Sequence, residues 1–276
     1  MAFTQAAAAN GANIPLLGLG TWDIRGDVCR RIVEQALRLG YRHVDTAQAY
    51  ENEREVGEGI RKSGVPREEI HVTTKVWWTQ LAPADVLRST RESLARLKLD
   101  YVDLLLVHWP NSSVPLDQTI AALCKAKRDG MTKHVGISNF TTALIGQAVQ
   151  YSTEPLSTNQ VEMHPYLDQS KVIAACAAKG ISVTAYSPIV RGKAGDDPVL
   201  AKIGKAHKKS VAQVCLRFLV QQGVVAIPRT SKVERLSENS EIFDFELTGA
   251  EMAAIHALAR PDGRMISPSW APGWDR

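Results

Sequence analysis

Four side chains in this sequence would move a proton if the fold brought them together: Asp45, Tyr50, Lys75 and His108. A lysine ammonium beside a phenol favours the phenolate and lowers a pKa that starts near ~10. A carboxylate beside that lysine keeps it charged and in place. A histidine can donate to a substrate oxygen. Each residue alone has a plainer explanation. Asp45 suits a turn or helix cap, Lys75 a solvated rim, His108 a core position with its bonds satisfied. A lysine at a strand end also suits imine chemistry. The histidines lack metal-ligand spacing, so no metal is expected.

These residues stand at the ends of apolar strand segments. The expected strands are Ile14 to Trp22, Tyr41 to Asp45, His71 to Val76, Tyr101 to Val107, His134 to Asn139, Leu156 to Val161, Ile181 to Tyr186 and Val224 to Ile227. Helical patterns alternate with them: Asp27 to Leu39, Glu53 to Ser63, Ala82 to Leu97, Leu116 to Arg128, Thr142 to Gln150 and Gln169 to Ala178. Val199 to His207, Val211 to Gln222, Val233 to Glu241 and Thr248 to Leu258 follow. In the first helix Val28, Ile32, Ala36 and Leu37 read as the core face. Leu39-Gly40 reads as its C-terminal stop. Thr141 reads as a cap, and Thr248 with Glu251 as a capping box.

Eight strands alternating with helices, several of them continuously apolar, imply a parallel sheet buried on both faces. With 276 residues and no linker-like break, the expected fold is a single α/β domain over 1–276, a (β/α)8 TIM barrel. An open eight-stranded sheet is the alternative. In a barrel all strand C-termini meet at one mouth. That mouth then also collects Ser138, Asn139, Gln160, Tyr186, Ser187, Arg229 and Thr230.

Other motifs fail on inspection. Gly18-Leu19-Gly20 meets Asp23 where a dinucleotide fingerprint needs its third glycine. Gly136-Ile137-Ser138-Asn139-Phe140 lacks the last glycine of a nucleophile elbow. A net charge of +4 without a dense basic run gives no reason to expect nucleic acid or membrane as partner. Cys29, Cys124, Cys176 and Cys215 are dispersed and read as buried free thiols of a reducing compartment. The start carries no signal-peptide pattern, so the expectation is cytoplasmic.

Beyond these readings, the chain resembles the aldo-keto reductase family along essentially its whole length. The matching stretches are Gly18 to Trp22, Asp45 to Glu53, Thr74-Lys75 and Val107-His108-Trp109-Pro110. Gly136 to Phe140, Asn159-Gln160, Ala185 to Pro188, and Ile227-Pro228 on to Arg235, Glu238 and Asn239 complete them. The tail from Arg264 to Asp275 is similar to the B-type branch of bacterial 2,5-diketo-D-gluconate reductases, which also take methylglyoxal.

The resemblance implies NADPH-dependent reduction of small carbonyl compounds, dicarbonyls or keto-sugar acids. Tyr50 is then the general acid, tuned by Lys75 and Asp45, and His108 orients the carbonyl. The nicotinamide stacks on Tyr186, with Ser138, Asn139 and Gln160 at its carboxamide and Thr21 and Trp22 alongside. Ser187, Pro188, Ile189, Arg191 and Gly192 lie along the pyrophosphate. Ile227, Arg229, Thr230, Ser231, Arg235, Glu238 and Asn239 hold the adenosine end, with Arg229 and Arg235 reaching one 2′-phosphate. Trp22, Trp77 and Trp109 wall the substrate pocket, unless they are ordinary core, and the C-terminal loop closes it. Many relatives have Lys-Ser at Arg229-Thr230 and a glycine at Val190. The alternatives are a Schiff-base lyase using Lys75 and a non-catalytic NADPH-binding regulatory subunit. A monomer is expected.

Overall fold

Strand residues such as Leu104, Leu105 and Leu106 have no exposed face, and the architecture explains why. The computed structural model describes residues 5–275; residues 1–4 and 276 of the expected domain lie outside the described residues. In chain order the elements begin with β1 (Ala6–Ala9), β2 (Ala12–Pro15), β3 (Leu19–Gly20), α1 (Gly26–Leu39), β4 (His43–Asp45), α2 (Glu53–Ser63) and β5 (His71–Val76). Next come α3 (Pro83–Leu97), β6 (Val102–Val107), α4 (Leu116–Arg128), β7 (Thr132–Ser138), α5 (Thr142–Tyr151), β8 (Leu156–Glu162), α6 (Ser170–Ala177) and β9 (Ser182–Tyr186). The chain finishes with α7 (Pro198–His207), α8 (Val211–Val220), β10 (Val225–Ala226), α9 (Val233–Ser240) and α10 (Gly249–His256).

Strands β3 to β10 form one eight-stranded sheet in sequential order, every pairing parallel. The sheet curls until its edges meet. The Gly18 amide donates to the Ala226 carbonyl at 2.9 Å, the Ala226 amide to Leu16 at 2.8 Å, and the Gly20 amide to Pro228 at 3.0 Å. The sheet is therefore a closed (β/α)8 barrel, and the open-sheet alternative falls away. Closure needs the glycine: a Cβ on Gly20 would stand 2.7 Å from the Ile227 carbonyl oxygen.

Three expectations change. The first expected strand is two short ones, and β2 pairs antiparallel with β1 in a hairpin the sequence reading missed. Its turn is Asn10-Gly11, both at positive φ (46° and 87°), the backbone that a two-residue hairpin turn requires. Val28 is 49% exposed, while Ile32, Ala36 and Leu37 are buried. Cys29, the next residue, takes the buried position in that turn and leaves Val28 on the solvent flank of α1. Thr141 occupies the N-cap of α5, but its side chain makes no capping bond. Asp275 does the work instead, accepting from the Thr142 amide at 3.0 Å and from Thr142 Oγ1 at 2.7 Å. The Thr248–Glu251 capping box forms as read, and Gly40 ends α1 at φ 111°. All four cysteines are free and buried.

Candidate active site

The mouth is assembled from strand ends. Asp45 is the last residue of β4, Lys75 the penultimate residue of β5, and His108 follows β6 directly. Tyr50 ends a short 3₁₀ turn, Gln48–Tyr50, on the loop after β4. The structure brings all four together. The Lys75 ammonium donates to Asp45 Oδ1 at 2.6 Å, to the Thr46 carbonyl at 2.8 Å and to the Tyr50 hydroxyl at 3.2 Å. Its three N–H donors are therefore all used. The His108 ring stands edge-on to Tyr50, with centroids 5.6 Å apart, and to Trp77 at 5.1 Å.

Electrostatics at this floor are governed by burial. Lys75 and Asp45 are almost wholly inaccessible. Desolvation alone disfavours the ammonium, but Asp45 and Tyr50 outweigh it and hold the Lys75 pKa above its usual value. Desolvation pushes the Tyr50 phenol up, and the Lys75 charge offsets only part of that rise. The net direction opposes the one expected from the lysine alone. His108 is held well below the usual imidazole range, first by burial and then by Lys75, so it is neutral at pH 7. Its Nδ1 is buried and has no protein partner.

Further polar side chains hold these four in place. Gln160 donates to the free oxygen of Asp45 at 2.8 Å, so the carboxylate is bonded on both sides. Ser138 donates to the Gln160 carbonyl at 2.8 Å. Asn139, at φ 64°, donates to the His108 carbonyl at 2.9 Å and accepts from the Tyr186 hydroxyl at 2.8 Å. Thr21 donates to the Asp45 carbonyl at 2.9 Å.

The tyrosine-bearing loop has its own brace, which the sequence reading gave no role. Asn52 is fully buried. It donates to the carbonyls of Thr21 and Ile24 at 2.8 and 2.9 Å and accepts from Thr46 Oγ1 at 2.8 Å. An asparagine between Glu51 and Glu53, just where α2 begins, was the available signal. Gln48 adds a bond from the Trp77 amide at 2.9 Å.

The tail covers the mouth. Trp109 is 5% exposed and meets Trp274 edge-on at 6.0 Å, while Trp78 stacks on Trp270 at 5.2 Å. Trp77 is half-buried beside His108, and Trp22 is 46% exposed. The tail is fixed from beneath by Glu162 at the end of β8. This buried carboxylate accepts from the Met265 and Ile266 amides at 2.7 and 2.9 Å and bonds His164 at 2.9 Å. Glu162 was also missed; a carboxylate two residues beyond Gln160 in a buried strand was the clue.

The far rim is looser. Ser187, Val190 and Arg191 all have positive φ, between 52° and 53°. For a buried β-branched valine this is a strained backbone, and it accounts for the glycine of related sequences. Pro188 and Ile189 lie between them, and Gly192 continues the left-handed run at φ 81°. Arg191 lies over the Trp22 ring at 4.6 Å. Arg229 donates to the Trp22 and Asp23 carbonyls at 3.2 and 2.7 Å. Arg235 pairs with Glu238 at 2.6 Å. The two arginines expected to share one anion are thus each engaged elsewhere. Thr230 and Asn239 are buried, Ser231 is exposed, and Ile227 is buried beneath them. Lys232, just before α9, has no ion-pair partner among the described residues and is a third cation here.

This arrangement was compared with known proteins. The sequence profile described as the Aldo/keto reductase family matches residues 16–260. The chain belongs to the aldo/keto reductase family. As such it is an oxidoreductase acting on small carbonyl compounds. This aldo/keto reductase is 42% identical over 266 residues to Methylglyoxal reductase DkgB of Escherichia coli O157:H7, covering 95% of this chain and 99% of that protein. It is 50% identical to a solved structure provisionally assigned as a 2,5-diketo-D-gluconic acid reductase B. That match has a TM-score of 0.97 and covers 99% of this chain and 98% of the other. A Bombyx mori aldo-keto reductase solved in complex with NADP is 35% identical, with a TM-score of 0.89 and 96% and 95% of the chains covered. No helix among the described residues is long and apolar enough to cross a membrane.

Proposed function

We propose that this enzyme reduces aldehydes and ketones to alcohols with NADPH, with Tyr50 delivering the proton to the carbonyl oxygen. The observation that carries the reading is the Lys75 ammonium, which bonds Asp45 Oδ1 at 2.6 Å and the Tyr50 hydroxyl at 3.2 Å in one buried cluster. When the substrate oxygen takes the Tyr50 proton, the phenolate left behind faces a cation already in place. That charge needs no reorganisation, which is how preorganised electrostatics lowers a barrier. Neutral His108 donates a hydrogen bond to the same oxygen and sets its position. Asp45, bonded by both Lys75 and Gln160, keeps the lysine from swinging away.

NADPH, when bound, supplies the hydride. The residues fit such a group. Gln160 spends its amide nitrogen on Asp45, and its Oε1 takes no protein donor among the described residues, which leaves an acceptor for a carboxamide beside Ser138 and Asn139. Tyr186 offers a flat face at the end of β9. The positive-φ residues Ser187, Val190, Arg191 and Gly192 curl this loop, the kind of backbone that turns amides toward an anion. Arg229, Lys232 and Arg235 put cations at the adenosine end, beside the N-terminus of α9.

Lyase chemistry is disfavoured. Imine formation needs a neutral amine, and Lys75 is held charged with every donor engaged. A purely regulatory role leaves the complete cluster unexplained. The short loop Asn111 to Pro115 and the names of the two bacterial-type relatives support small dicarbonyls and keto-sugar acids as substrates. We assign the working form as a cytoplasmic monomer.

The test is Tyr50→Phe, assayed by NADPH oxidation with methylglyoxal. A positioned acid contributes roughly 10²–10⁴-fold, so kcat is expected to fall by that factor with NADPH affinity retained. Near-wild-type turnover would remove Tyr50 from the chemistry.

A further inference from the structure

One cation at the mouth has no task in the proton-transfer cluster. Arg264 lies on the tail, directly before the two amides that Glu162 holds. Its guanidinium makes no hydrogen bond and no ion pair among the described residues, and its Nη1 is buried without any partner. It lies over the face of Trp274, with Cζ 3.7 Å from the ring centroid. A guanidinium carries five donors, and leaving the buried Nη1 among them unmet is costly. Burial accordingly pulls its pKa below the usual arginine value, while Tyr186, Glu162 and Asp275 pull the other way.

The nearby carboxylates do not answer it. Both oxygens of Glu162 are taken by the tail amides and His164. Both oxygens of Asp275 are taken by Thr142. The fork therefore waits for an anion from outside the protein. Its surroundings say which kind. Trp274, on which it lies, packs against Trp109, and Trp109 follows His108 directly. Tyr186, whose charge bears on Arg264, bonds Asn139. Arg264 is thus tied to the aromatic tail beside His108 and to the polar groups of the floor.

We propose that Arg264 is the specificity residue through which the pocket recognises a carboxylate carried by its carbonyl substrate. Two parallel N–H donors match the two oxygens of a carboxylate, and the Trp274 face holds the fork flat for that pairing. The Glu162 clamp on the next two residues keeps the backbone beneath it fixed. The preferred substrates are then oxo-acids whose carbonyl lies at His108 and Tyr50 while the acid group reaches the tail. A cofactor phosphate has the same anionic chemistry, and the experiment separates the two sources.

This inference rests on the proposed carbonyl reduction. The assay compares two four-carbon aldehydes, succinic semialdehyde and butanal, which differ by a carboxylate at the far end. The readout is the ratio of their kcat/KM values in wild type, Arg264→Gln and Arg264→Lys, together with the Kd for NADPH. Losing a charge-assisted bond costs roughly tenfold or more, so the ratio is expected to fall at least fivefold in Arg264→Gln and less in Arg264→Lys, with the NADPH Kd within twofold of wild type. A ratio that falls less than fivefold overturns the proposal. So does an NADPH Kd that rises in parallel with any loss, because the anion would then be a cofactor phosphate. If Arg264→Gln does not fold, the wild-type ratio decides: it should exceed one and shrink as salt is raised, and a ratio of one or below overturns the proposal. Failure of wild type to reduce either aldehyde would instead sink the reductase reading itself.

Discussion

At the floor of the mouth, Lys75 and Asp45 are both buried and every donor of the ammonium is taken. At the rim around α9, Arg229 and Arg235 are exposed and hold oxygens of the protein itself: the Trp22 and Asp23 carbonyls and the Glu238 carboxylate. The floor has paid for its charges during folding and meets a substrate already arranged. The bonds at the rim are weak and solvent-screened. On the proposed function the contrast is useful: proton transfer tolerates little displacement, whereas cofactor binding and release need groups that let go.

Lys75→Met should break the floor most severely. Removing one partner of a buried pair leaves Asp45 unpaired and costs about 3–5 kcal/mol. Denaturant unfolding should show that loss together with the loss of reduction. Adding Asp45→Leu should recover much of the stability and none of the activity. If the single variant is as stable as wild type, the pair is not the closed unit described here.

The same burial makes the barrel interior sensitive to acid in a way the rim is not. His43 is fully buried and its pKa is pulled down to about 4, chiefly by desolvation, with Asp45 opposing. His71, edge-on to it at 5.0 Å, is lowered too, by burial first and then by His43. The unfolded chain binds these protons near ~6.5 and the folded chain does not. The stability is thus full above about 6.5 and is lost as pH falls toward 4. For His43 alone the loss is roughly 2 kcal/mol by pH 5. Urea midpoints between pH 7 and 5 check this, and His43→Asn should flatten the slope. A slope unchanged by that substitution would assign the acid sensitivity to other groups.

The smallest effect belongs to the rim. Arg235→Ala should weaken NADPH by roughly tenfold, the low end for a hydrogen bond to a charged group, because Arg235 must first leave Glu238. NADH, which lacks the 2′-phosphate, should change less than twofold. Fluorescence titration of both cofactors reads this directly. Equal losses would mean that Arg235 supports α9 and not the phosphate.

The barrel was legible because parallel strands buried on both faces cannot hide their apolar runs, and because helix stops such as Gly40 punctuate them. The hairpin Ala6–Pro15 escaped despite its Asn10-Gly11 turn, since alanine strands carry almost no β signal. Val28 misled because it sits at the edge of the stripe, whose buried position in that turn is Cys29. The site was legible wherever a strand end dictates position, as at Asp45, Lys75 and Gln160. It was not legible where a partner comes from remote sequence. Nothing near Arg229 announces Trp22, nothing near Thr142 announces Asp275, and the empty fork of Arg264 is visible only once Glu162 and Asp275 are seen to be occupied.

Barrel closure also sets an order of events in synthesis. Gly18 and Gly20 emerge early, but the carbonyls they bond, on Ala226 and Pro228, are made roughly two hundred residues later. Joining ends so far apart costs on the order of 5 kcal/mol in chain entropy, so the seam should form late and slowly. Until it does, β3 has an unpaired edge on the nascent chain. A substitution such as Gly20→Ala, which crowds the Ile227 carbonyl, would then appear first as poor yield of folded enzyme, with normal turnover in whatever fraction had managed to close.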